Sequence, residues 1–190
     1  MRVIAGKYKG RNLKAPAGRN TRPTTDRIKE SLFSSILSYY GDLDGCVVLD
    51  AFAGSGALGI ECMSRGAKSV QFFERDREAL KALNANVELL GLADATRVRN
   101  ADVFANPPVY GVAFNIVLLD PPYAYDAADV FDFLAKLNSK GMLAQDALIT
   151  YEHACEARIE DALCASSCGL RVVSEKTYGK TTAICFLGLE

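Results

Sequence analysis

Residues 47–61 read VVLDAFAGSGALGIE, an apolar run that ends on Asp50 and opens into Gly54, Gly56 and Gly59 at the spacing G-x-G-x-x-G. β-favouring residues come first, small residues follow, and a helix-forming stretch begins at Ala57. That succession is a strand, a tight turn and a helix start. Small residues let the backbone come close to a ligand, and the helix start offers free N–H groups. Glu74 follows eighteen positions after Gly56, at the end of the next apolar run. An acid placed there receives a ribose hydroxyl in dinucleotide-binding chains, so the loop first raises the question of which adenosine-bearing molecule it holds.

Outward from this stretch, the chain alternates strand and helix patterns. Strands are expected over 47–50, 69–74, 95–99, 114–120, 147–152, 170–176 and 182–189. Helices are expected over 57–65, 77–90, 127–138 and 156–166. Such alternation predicts an α/β fold, a doubly wound and mostly parallel sheet with ligands beyond the carboxyl ends of its strands. FNIVLLD, residues 114–120, suits a central strand buried on both faces. Only YGK separates the last two strand patterns, so they should form an antiparallel hairpin.

Before the glycine loop, residues 2–5 and 11–15 read as short strands of a hairpin turned through GKYKG. Residues 16–23 read as an exposed loop carrying Arg19 and Arg22. A helix follows, with Thr24 or Thr25 as its cap, Asp26 in its first turn, and Ile28, Leu32, Ile36 and Tyr39 at helical spacing. The expected organisation is a basic hairpin and loop extension over 1–23 and one catalytic-type domain over 24–190.

At 190 residues and 49% apolar composition the chain supports a substantial core. No apolar run is long enough for a membrane span, and the N-terminus has no apolar segment of the secretory kind. Six cysteines without a C-x-x-C pair suit reduced thiols of a cytoplasmic protein. Cys155, Cys164 and Cys168 with the single His153 have no regular ligand spacing, so no metal is expected. The net charge of −1 hides an asymmetry, because residues 1–29 carry nine Lys/Arg and one acid, or +8. A basic arm on an acidic body suits a polyanionic partner. Arg2, Lys7, Lys9, Arg11, Arg19, Arg22 and Arg27 are the candidate contacts to its phosphates or other anionic groups. Removing residues 1–23 is expected to flatten the salt dependence of binding to that polyanion while leaving cofactor affinity near normal.

Three acids at successive strand ends choose the cofactor. Asp50 would repel a pyrophosphate, but it accepts hydrogen bonds around a cationic amino-acid moiety. Glu74 suits the two ribose hydroxyls, and Asp102, just past the third strand, is within reach of an adenine amine. S-adenosylmethionine fits this set better than NAD. The fourth strand ends in LLDPPY, which puts Asp120, Pro121, Pro122 and Tyr123 on the same edge of the sheet. Two prolines cannot continue a ladder and leave free carbonyls. A planar base would stack on Tyr123 while its exocyclic amine donates to Asp120 and the Pro121 carbonyl, once the base is extruded.

DAFAGSGALGIE with DPPY resembles the class I S-adenosylmethionine-dependent methyltransferases that modify exocyclic amines. Together with RVIAGKYKGRNLKAP, TRPTTDRIKESLFSSI and SRGAKSVQFFERD, it resembles the bacterial small-subunit ribosomal RNA guanine-N2 methyltransferases of the RsmD type over nearly the whole chain. The resemblance implies a Rossmann-like seven-stranded sheet with a reversed last strand and an N-terminal β-hairpin extension. It implies Asp50, Ala53, Gly54, Ser55, Gly56, Glu74 and Asp102 as cofactor positions and Asp120 to Tyr123 as the acceptor loop. Arg22, Thr24 and Arg27 match a motif that closes over the cofactor carboxylate or an RNA phosphate. The implied substrate is one guanine of 16S ribosomal RNA, in an assembled or partly assembled small subunit. An adenine-N6 DNA methyltransferase shares DPPY, but 190 residues leave little room for a sequence-reading domain. A non-catalytic ribosome assembly factor would have no need of Asp50, Glu74 and Asp120 together.

Overall fold

The computed structural model describes residues 1–16, 26–108, 110–122, 125–166 and 168–190. Its elements run α1 (Asp26–Tyr40), β1 (Val47–Asp50), α2 (Ala57–Ser64), β2 (Ser69–Glu74), α3 (Arg77–Leu89), β3 (Thr96–Asn100), β4 (Phe114–Leu119), α4 (Ala127–Ser139), β5 (Leu143–Ala154), α5 (Ile159–Ser166), β6 (Leu170–Tyr178) and β7 (Thr182–Leu189). Seven strands form one sheet in the order β3-β2-β1-β4-β5-β7-β6. The chain divides into two compact units, residues 1–102 and 103–190.

In the first unit β1 pairs with β2, and β2 with β3, all parallel. Val48, Leu49, Ile60, Phe72 and Leu83 are wholly or almost wholly buried, so the strand face and the α2 and α3 stripes form its core. Apolar side chains at helical spacing account for α3, and its start is fixed by Asp76, whose carboxylate accepts from the Glu78 and Ala79 N–H groups. In the second unit β4 pairs parallel with β5, β5 antiparallel with β7, and β7 antiparallel with β6. The reversed final strand therefore lies inside the hairpin that YGK closes. Ile116, Val117, Phe131, Leu134, Ile149 and Leu187 fill this core.

The expected strands and helices are present, with shifted ends. β5 begins four residues before the expected start, where Leu143 pairs with Phe114 of β4, and it runs on to Ala154, opposite Thr182 of β7. α5 starts at Ile159 rather than 156. The N-terminal hairpin is a correction. Its path is antiparallel, with Val3 N–H donating to the Arg11 carbonyl at 3.0 Å and Leu13 N–H to the Met1 carbonyl at 2.9 Å. Neither arm is a strand, however, and only the bridge Arg2↔Asn12 is formed. The reason is competition for backbone donors: Ile4, Ala5, Lys7 and Tyr8 give theirs to α2 instead. Among the described residues no helix is long and apolar enough to cross a membrane.

Candidate active site

The glycine loop is a backbone construction held by two carboxylates. Asp50, buried at the end of β1, accepts from the Gly59 N–H at 2.9 Å and so serves the first turn of α2. Gly56, which begins that helix without a side-chain cap, has φ +81°. A Cβ there would also collide with Leu83 Cδ1. Gly54, at φ +54°, differs: among the described residues nothing lies within 4 Å of where its Cβ would stand. The open glycine is therefore the first of the three, and the second is spent on turning the chain and packing α2.

Glu74 ties this loop to the end of β2. Its Oε2 accepts from the Gly54 N–H and its Oε1 from the Asp76 N–H, both at 2.7 Å. Ala53 donates to the Phe73 carbonyl at 2.9 Å, and Gly56 to the Ala53 carbonyl at 2.7 Å. Ser55 is buried, with its Oγ 3.5 Å from Met1 Sδ. Asp102 lies two residues past β3 and pairs with Arg75 at 2.7 Å. Gly54 and Glu74 are thus brought into direct contact, while Asp102 is held by a neighbouring cation.

The second unit supplies Asp120, part-buried directly after β4, with Pro121 buried and Pro122 exposed behind it. Burial pushes the Asp120 carboxyl up to about 6. Tyr123 lies outside the described residues, as do Arg19, Arg22 and Thr24. The remaining candidate cations are exposed: Arg2, which pairs with Asp26 at 3.0 Å, Lys7, set over the Tyr8 ring, Lys9, Arg11 and Arg27. Lys29, counted in the arm's charge, is buried instead. Its Nζ donates to the Arg2 carbonyl and stands 3.6 Å from Glu61 Oε2, and burial lowers its pKa against the pull of Glu61.

Two buried side chains that sequence reasoning overlooked fasten the arm. Glu61, at 0% exposure, accepts from the Ile4 N–H at 2.8 Å, the Ala5 N–H at 3.0 Å and Arg65 Nε at 3.0 Å. Asn86, also at 0%, takes the Lys14 N–H at 2.7 Å and gives its own hydrogens to the Lys14 carbonyl at 3.0 Å and the Ser55 carbonyl at 2.9 Å. One amide thus joins the arm to the glycine loop. The only sequence signal was a polar residue on an otherwise apolar helical stripe. Among the described residues no cluster of three or more His, Cys, Asp or Glu is placed to hold a metal.

A mostly parallel sheet whose strand ends carry a glycine loop, an acid at β2 and Asp-Pro-Pro at β4 defines a class I, Rossmann-like methyltransferase. Residues 1–187 match the family described as Conserved hypothetical protein 95. The chain is 39% identical over 187 residues to YlbH of Bacillus subtilis, covering 95% of each. It is 36% identical over 156 residues to "Ribosomal RNA small subunit methyltransferase D" of Escherichia coli, covering 82% of this chain and 76% of that one. The solved structure of yhhF from Escherichia coli superposes with a TM-score of 0.80 at 31% identity, over 100% of this chain and 98% of that one. The chain belongs to this family, the RsmD-type rRNA methyltransferases.

Proposed function

We propose that this chain transfers the methyl group of S-adenosylmethionine to the exocyclic N2 amine of one guanine in 16S ribosomal RNA, acting in the cytoplasm on an assembled or partly assembled small subunit. The observation that carries the assignment is Asp120, a carboxylate part-buried at the end of β4 immediately before Pro121 and Pro122. The name of the Escherichia coli relative supports the ribosomal RNA substrate.

The first unit fits an adenosine-bearing sulfonium. Gly54 leaves room for a ligand beside the loop, and Glu74 stands against that same residue with carboxylate oxygens suited to ribose hydroxyls. Asp50, Ala53, Ser55 and Gly56 would complete the cradle, with Asp102 toward the adenine. When bound, S-adenosylmethionine supplies an electrophilic methyl group that needs no further activation.

The chain's own residues have then to prepare the nucleophile. A guanine amine is weak because its lone pair is delocalised into the ring. Asp120 and the Pro121 carbonyl would accept its two hydrogens, direct the lone pair out of the ring plane and fix the line of attack. An acceptor in low-dielectric surroundings binds those hydrogens more strongly than it would in water. A carboxyl near 6 also suits the proton that the methylated amine must shed. Tyr123 would stack on the extruded base. The exposed Arg2, Lys7, Lys9, Arg11 and Arg27, with Arg19 and Arg22, would bind phosphates.

The deciding experiment is labelled-methyl transfer to small subunits from a strain lacking this protein, followed by mapping of the modified base. Label on N2 of a single guanine is expected. Transfer to duplex DNA in its place, or none to either, overturns the assignment.

A further inference from the structure

The second unit contains a cavity of about 400 Å³ whose lining includes Pro121, Pro122, Tyr151, Glu152, His153 and Arg158. Leu119 pairs with Tyr151 across β4 and β5, so the residues that follow each partner are Asp120–Pro121 and Glu152–His153. His153, the single histidine of the chain, is 4% exposed. Its Nδ1 lies 2.9 Å from the Ala154 carbonyl oxygen. A carbonyl only accepts, so Nδ1 carries a hydrogen, and in the tautomer with that single ring hydrogen Nε2 presents a lone pair. Among the described residues Nε2 is the buried side-chain atom with no hydrogen-bond partner. A buried acceptor left unpaired is costly, and its cost disappears when a ligand brings the missing donor.

Resting on the assignment of residues 120–123 as the acceptor loop, we propose that this cavity receives the acceptor nucleobase and that His153 Nε2 accepts its N1–H, selecting guanine over adenine. Guanine carries N1–H beside its 2-amine, two adjacent donors. Adenine carries an N1 lone pair beside its 6-amine, and that lone pair would face the lone pair of Nε2. Glu152 adds a second acceptor to the lining. The lining has to give way locally for a base hydrogen to reach Nε2, which is shielded from solvent. A mismatched base leaves both polar atoms unpaired there, and this makes the discrimination large.

2-Aminopurine separates the two hydrogen bonds, because it keeps the 2-amine but has a lone pair at N1. Small subunits reconstituted with guanine or 2-aminopurine at the mapped position would be methylated by the full-length protein. Wild type is expected to favour guanine by about 10- to 100-fold in kcat/KM, the scale of one buried unpaired polar group. His153→Leu should bring that ratio toward one, and His153→Gln, whose amide oxygen still accepts, should retain most of it. A folded His153→Leu with the wild-type ratio, or a wild type with no preference, overturns the role of His153. A wild type that methylates no guanine overturns the acceptor-loop assignment as well. Should His153→Leu fail to fold, histidine-labelled ¹⁵N spectra of wild type decide, since there is one imidazole to observe. A hydrogen on Nδ1, and an Nε2 resonance that moves on saturation with guanine-bearing but not 2-aminopurine-bearing subunits, supports the proposal. A hydrogen on Nε2, or no response to the guanine form, overturns it.

Discussion

The two compact units treat their site polar groups in opposite ways. In residues 1–102 each strand-end acid already has a protein partner: Asp50 has the Gly59 N–H, Glu74 has the Gly54 and Asp76 N–H groups, and Asp102 has Arg75. In residues 103–190 burial raises the Asp120 carboxyl to about 6, and His153 Nε2 has no described partner. Partnered carboxylates hold a loop in one shape, which suits a cradle waiting for a cofactor. Polar groups under strain are relieved by a substrate, which suits the place where chemistry and selection happen. On the proposed assignment, the donor side is the rigid one and the acceptor side the responsive one.

The largest effect should come from the acceptor side. Asp120→Asn is expected to lower single-turnover methylation by about 10³-fold, the middle of the range for a lost acid–base or orienting group, while leaving S-adenosylmethionine affinity within a few fold. The same substitution should stabilise the fold at pH 7. An acid whose carboxyl is raised in the folded chain binds protons more tightly folded than unfolded, so stability falls as pH rises from about 4 through about 6. Removing that group should raise stability at pH 7 by up to about 3 kcal/mol and flatten this window, as pH-dependent urea melts would record. In wild type the single-turnover rate should rise through pH 6 as Asp120 ionises. A variant that is neither slower nor more stable would erase the contrast between the units.

On the donor side, Glu74→Ala should weaken S-adenosylmethionine by about 1.5–3 kcal/mol, the range for hydrogen bonds to a charged group. Calorimetry on a folded variant provides the check. Glu74→Gln should recover part of the loss, because its amide oxygen still accepts from the loop. Unchanged affinity in both variants would make Glu74 a purely structural clasp.

Asn86→Leu should cost about 1 kcal/mol of cofactor affinity by releasing the Ser55 carbonyl, with faster amide exchange near Lys14. The hydrogen bonds of Asn86 and Glu61 argue against the expectation that removing the arm leaves cofactor affinity near normal. Deleting residues 1–16 should likewise weaken the cofactor several-fold. Full affinity in the truncated chain would restore the arm to a separate extension. Smallest of all, Lys9→Ala with Arg11→Ala should lower the slope of log affinity for RNA against log salt by about 0.7–0.9 for each phosphate no longer neutralised. An unaltered slope would assign phosphate binding to other cations.

The strands and helices were legible because alternation of two and repeats near 3.6 are local patterns, and both glycine loop and DPPY announce their chemistry in a few adjacent residues. β1, β2 and β7 run over the residues expected of them, whereas β5 and α5 shifted where the β7 ladder and the turn after Ala154 overrode local preference. The arm misled for a similar reason. Alternation suggested a hairpin of strands, and nothing near it in the chain disclosed that its N–H groups would be taken by Glu61 and Ser64.

From the sequence alone came the order of elements, the class of sheet, the loop that approaches a cofactor and the acid that precedes two prolines. Tertiary structure alone decided which polar side chains are spent on holding the molecule together, and that His153 Nε2 is buried without a described partner. Glu61 finds its partners 56 and 57 residues away, and Asn86 meets Lys14 across 72. Lys29 reads as one more cation of a basic arm until it is found buried against Glu61, and His153 as a lone histidine until Ala154 takes its Nδ1 hydrogen. Local propensity acts over a turn or a strand pair, but the cost of burying a charge or a lone pair is set by whatever the folded chain brings beside it.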